Sequence, residues 1–111
     1  MRKITNQTEK FTKRDSANSR NGLPLQELEH KSTLHIIAAA IMEDTDEETN
    51  ETKEIGVFVT GEKEYYTTIS ATVIDTMYDL IDIMSDEGEV DVRIEKRKSK
   101  GGREFLSLVI L

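Results

Sequence analysis

Apolar and polar positions alternate near the end of the chain. Val90, Val92 and Ile94 are separated by Asp91, Arg93 and Glu95, the two-residue period of a strand with one buried face. A second run, E-F-L-S-L-V-I-L, extends from Glu104 to Leu111. Between them stands R-K-S-K-G-G-R, whose Gly101 and Gly102 can adopt the positive φ of a hairpin turn. A basic turn therefore joins two strands, and the second is expected to close the core.

Upstream, residues 34–42 (L-H-I-I-A-A-A-I-M) admit two readings. Ala38, Ala39 and Ala40 favour helix. The length, the isoleucines at 36, 37 and 41, and small residues that let a sheet bend favour a strand, which is the preferred reading. Residues 55–60 and 65–70 are two further strands, joined by Gly61-Glu62-Lys63-Glu64, a hairpin-length loop. If Ile55, Val57 and Val59 point inward, Gly56, Phe58 and Thr60 point outward. If Ile69, Tyr65 and Thr67 point inward, Tyr66 and Thr68 point outward. That register sets Phe58 and Tyr66 on one outer face, and a slip of one residue would reverse it. Residues 72–85 predict a helix. Ile74, Met77, Tyr78, Ile81 and Met84 form its apolar stripe, Thr72 to Asp75 fits a capping box, and Gly88 is a stop. Asp75, Asp79, Asp82 and Asp86 occupy its other faces. Residues 25–31 read as one helical turn or a lead-in to the next strand.

A chain of 111 residues is one domain. It lacks cysteine, which excludes disulfides and thiolate metal sites. No apolar run approaches the ~20 residues of a membrane span, and the N-terminus lacks the apolar segment of a signal peptide. A soluble, cytoplasmic protein with no membrane association is expected. Within residues 1–22, Ile4 and Phe11 are the only large apolar side chains after Met1. Residues 1–24 are therefore expected to be a flexible basic arm, with Asn21-Gly22-Leu23-Pro24 marking the boundary to a folded domain at 25–111.

The net charge of −7 conceals a segregation. Residues 1–20 carry six basic and two acidic side chains, residues 93–103 six and one, and residues 27–91 three and eighteen. Binding to a polyanion depends on the local face rather than on the total. Residues 43–54 form an acidic loop that imitates a calcium loop at Asp44, Asp46 and Glu48. It fails at Thr49, where the turn glycine belongs, and at Ile55, where the bidentate glutamate belongs. No nucleophile elbow, zinc motif or dinucleotide fingerprint is present, and His30 and His35 have no catalytic company. Neither enzymatic activity nor a cofactor or metal is expected.

The element order is β-β-β-α-β-β, mainly β with one α-helix, the order of an OB-fold-like β-barrel. E-Y-Y-T-T-I-S at 64–70, the helix after it, and R-K-S-K-G-G-R-E-F-L-S-L at 97–108 resemble the small single-stranded DNA-binding proteins of bacteriophages and mobile elements. The likeness spans about residues 34–111. It implies a groove across strands 55–60 and 65–70, flanked by loops 43–54 and 96–103, although the acidity of 43–54 departs from a strand-hugging loop. Single strands are held by aromatic faces that stack bases and by cations that track phosphates. Phe58 and Tyr66 are the candidate stacking residues, with Gly56 leaving room beside them. Lys96, Arg97, Lys98, Lys100 and Arg103 are the candidate phosphate contacts, set against the plainer reading of a solubilising turn. The implied function is sequence-tolerant, non-catalytic binding of single-stranded DNA in phage or plasmid replication or recombination, with replication proteins and further copies of the chain as partners. Two alternatives compete. One is an acidic interaction module that mimics DNA toward a host or defence enzyme, which the basic segment 96–103 opposes. The other is an assembly domain pairing through strand edges.

Overall fold

The computed structural model describes residues 2–111; Met1, the first residue of the expected arm, lies outside them. The chain forms β1 (Arg2–Gln7), α1 (Lys13–Asn18), β2 (Leu23–Pro24), β3 (Thr33–Thr45), β4 (Thr52–Thr60), β5 (Tyr65–Thr68), α2 (Ala71–Glu87), β6 (Val90–Lys98) and β7 (Glu104–Ile110). From β3 onward this is the expected β-β-β-α-β-β order, and the architecture is mainly β and OB-fold-like. One sheet runs β2-β5-β4-β3-β6-β7, with β1 also on β3.

The thirteen residues of β3 make it the longest strand of the sheet, pairing with β1, β4 and β6. The strand bends, helped by the register shift between Ile36 and Ala38 and by the small side chains at 38–40. The sheet consequently curls. Val73, Ile74, Met77, Leu80, Ile81 and Met84 of α2 pack in its concavity against Ile36, Ile41, Phe58, Tyr66, Val92 and Ile94. Ser70 caps α2, its side chain accepting from the Val73 amide at 3.4 Å, so the helix begins before the expected Thr72 box. Gly88 (φ 81°) ends it. Tyr78, expected in the buried stripe, is 43% exposed, and its hydroxyl donates to Glu54 at 2.7 Å.

Phe58 and Tyr66 stand opposite each other in register and share a face, but it is the inner one. Phe58 is fully buried and Tyr66 is 7% exposed. Ile55, Val57 and Val59 take the outer face, so the expected orientation is reversed. The cause is that β4 is covered on both sides from Ile55 to Thr60, and alternation cannot tell two buried faces apart. Nor does Gly56 leave room for a ligand. A Cβ there would collide with Met77 Sδ, because α2 packs onto the gap.

What covers the outer face is the segment expected to be a flexible arm. β6 pairs with only residues 33–36 of β3, leaving residues 40–44 available to β1. Thr8 exchanges hydrogen bonds with Ala39, donating its amide to the carbonyl at 2.9 Å and accepting the Ala39 amide at its hydroxyl at 3.1 Å. Phe11, 4% exposed, packs with Ala38, Ala40, Met42, Val57 and Val59. Thr12 and Asp15 make a reciprocal capping box on α1. The Tyr65 hydroxyl donates to Asp15 at 2.7 Å. Burial pushes the Asp15 carboxyl up, but hydrogen bonds from Tyr65 and Thr12 outweigh it and hold the group below its ordinary 3.8. One aromatic plug and a vacant strand edge thus offset the ordering entropy that composition alone leaves unopposed. No helix among the described residues is long and apolar enough to cross a membrane.

His35 joins β3 to β6. Its Nε2 meets Glu89 Oε1 at 2.6 Å and its Nδ1 meets Asp91 Oδ1 at 2.7 Å, and only the doubly protonated ring can donate to both carboxylates at once. Lys10 stands 3.6 Å from Glu89. The Glu89 bond, then the Asp91 bond, raise His35 above 6.5, and the His35 bond lowers Glu89 below 4.5. A raised histidine stabilises below its unfolded pKa and loses that contribution as pH rises through the folded value. A lowered glutamate stabilises above its unfolded pKa and loses that contribution as pH falls through the folded value. The contribution is therefore greatest between about pH 4.5 and 6.5. Melting temperature should fall between pH 6 and 8 by more in the wild type than in His35→Gln; parallel profiles would show that this cluster adds nothing.

Candidate functional site

The sheet does not close. Its ends are β2, laid parallel on β5, and β7, paired only with β6. The expected closure of the core by the last strand is thus partial. Leu108 is buried, whereas Leu106 and Ile110 are half-buried. The open seam is a cleft of about 900 Å³, bounded by residues 24–27 on one side, residues 67–70 at the end of β5, and Lys96 with residues 104–106 on the other.

Apolar side chains stand exposed around this seam. Ile69 is 71% exposed and Phe105 37%, both lining the cleft, and Leu23 at the β2 edge is 53% exposed. Phe105 stands opposite Arg97 in the hairpin, and Leu106 opposite Lys96. Phe105 was legible in the chain. If Leu106, Leu108 and Ile110 face inward, alternation turns Phe105, Ser107 and Val109 outward.

All five candidate cations gather at the hairpin tip beside the seam. Lys96, Arg97 and Lys98 end β6, and Lys100 and Arg103 belong to the turn, closed by Ser99 N to Arg103 O at 2.9 Å and by Gly102 (φ 79°). The Lys96 amide donates to His30 Nδ1 at 2.9 Å, and Lys96 itself lines the cleft. Arg97 is the one partly neutralised, since it shares the Glu95 carboxylate with Arg93 at 2.7 and 2.8 Å. Those bonds, Arg97 first, hold Glu95 below its ordinary range. Among the described residues, Lys96, Lys98, Lys100 and Arg103 make no ion pair. Phe58 and Tyr66 are not among the residues that line the cleft; both are buried in the core.

The acidic stretch at 43–54 is less of a loop than expected. β3 continues to Thr45 and β4 begins at Thr52, leaving only 46–51 as a connection. The basic arm partly compensates it, with Arg2 3.9 Å from Asp44 and Lys3 opposite Glu43. Two of the arm's cations are thereby placed along the acidic edge formed by β3.

A family model described as phage single-stranded DNA-binding protein matches residues 5–111. No curated protein and no solved structure matches the chain.

Proposed function

Because the chain belongs to the phage single-stranded DNA-binding protein family, we propose that it binds single-stranded DNA without catalysis, along the open seam and the basic hairpin, during phage DNA replication or recombination. The observation that carries this site is the environment of Phe105. Phe11, Phe58 and Tyr66 are buried, Tyr65 is half-buried under the arm, and Tyr78 faces Glu54. Phe105 alone among the described aromatics is exposed with a cation, Arg97, opposite it in register. A base stacked on such a ring gains roughly 1–3 kcal/mol, and Lys96, Lys98, Lys100 and Arg103, with Arg97 opposite the ring, meet the phosphates on either side. Ile69 offers a second apolar surface across the cleft. Replication proteins and further copies of the chain are the partners this role calls for.

The test is fluorescence anisotropy of a labelled mixed-sequence oligonucleotide at low and moderate salt, against the same sequence as duplex. Salt-sensitive binding to the single strand, and weak binding to the duplex, is the expected result. No binding at low salt, or equal binding to the duplex, would overturn the proposal.

A further inference from the structure

We infer that the seam selects among bases, favouring those with an exocyclic amino group; this rests on the single-strand reading above. Two carboxylates line the cleft from opposite walls, Glu27 in the 3-10 turn at Leu25–Glu27 and Glu104 at the start of β7. Both are exposed. Lys98 stands opposite Glu104 in register, yet no ion pair joins them, and Glu27 has no charged partner among the described residues.

Unpaired carboxylates in a groove that takes a polyanion repel the ligand unless they meet hydrogen-bond donors. An ionised carboxylate only accepts. Within a DNA strand the phosphates and the esterified deoxyribose donate nothing, so every donor is on a base. Cytosine, adenine and guanine each present an amino group with two N–H bonds. Thymine and uracil present one N–H, flanked by two carbonyl oxygens whose lone pairs face a carboxylate unfavourably. Stacking on Phe105 is indifferent to the base, whereas Glu27 and Glu104 are not. Lys96 in the same cleft supplies the opposite charge for the adjoining phosphate.

Oligodeoxycytidine and oligodeoxyuridine of equal length test this, because their bases differ in having an amino or an oxo group at position 4, with the accompanying change at N3. Anisotropy at neutral pH should show the cytidine strand bound about tenfold more tightly, the size of one good base contact. In the double variant Glu27→Ala, Glu104→Ala the ratio should fall to about one while affinity for the uridine strand rises as repulsion is relieved. Carboxylates that merely repel DNA would let both strands tighten equally, leaving the ratio unchanged and overturning the inference. A wild-type ratio near one overturns it as well. Failure to bind either strand at low salt would instead remove the single-strand reading on which it rests.

Discussion

Phe58→Ala should destabilise the domain heavily rather than simply weaken ligand binding. Phe58 is wholly inaccessible and packs in the cluster that holds α2 to the sheet, with Tyr66 opposite it on β5 and Val73, Met77 and Leu80 among its members. Truncating a buried phenylalanine costs about 3–5 kcal/mol, the lost transfer energy plus the cavity left behind. Domains of this size hold about 5–15 kcal/mol in total, so a large share of the stability goes. At roughly 4–8 °C per kcal/mol, the melting temperature should fall by about 15 °C or more in thermal denaturation followed by circular dichroism. A variant that melts like the wild type but binds single strands poorly would restore Phe58 to an outer, ligand-facing position. The same experiment on Phe105→Ala should show a smaller drop, because that ring is already 37% exposed and leaves no closed cavity behind.

The contrast between these two phenylalanines marks how far the chain could be read before its fold was known. Val90, Val92 and Ile94 were legible as a buried face because Asp91, Arg93 and Glu95 mark the other side, and all three are buried. The spacing of Ile74, Met77, Ile81 and Met84 likewise placed α2 against the sheet. At β4 the same method had nothing polar to work with. Ile55, Gly56, Val57, Phe58 and Val59 are covered on both faces, and which face meets α2 depends on where the arm lies. The arm was illegible because averaging over residues 1–24 hides one Phe11 and a vacant strand edge that exists only in three dimensions. Its Thr12–Asp15 capping box, a local signal, was there to be read. The seam was illegible for a further reason. Whether β5 and β7 meet depends on how tightly β3 curls, and residue types along any single strand do not encode that distance.

Neutralising the hairpin should remove most of the salt dependence of binding. Lys96, Lys98, Lys100 and Arg103 lie on one hairpin and have no carboxylate partner among the described residues, so each can displace a counterion from a phosphate. For single strands the slope of log affinity against log salt is about −0.7 per phosphate neutralised. Replacing all four with glutamine should flatten it by nearly three. Affinity at low salt should drop at least tenfold, with melting little changed because no ion pair within the fold is lost. Arg97→Gln should flatten it less, because Glu95 already compensates that guanidinium. Phe105→Ala should act differently, weakening binding about ten- to hundredfold at every salt concentration with the slope intact, as expected for the loss of one stacked base. Charge and stacking thus separate in one titration series. If the quadruple variant and Phe105→Ala both keep wild-type affinity and slope, the ligand does not lie along the seam. The acidic outer face of α2, with Asp75, Asp79, Asp82 and Asp86 all exposed, would then become the surface to test against a protein partner.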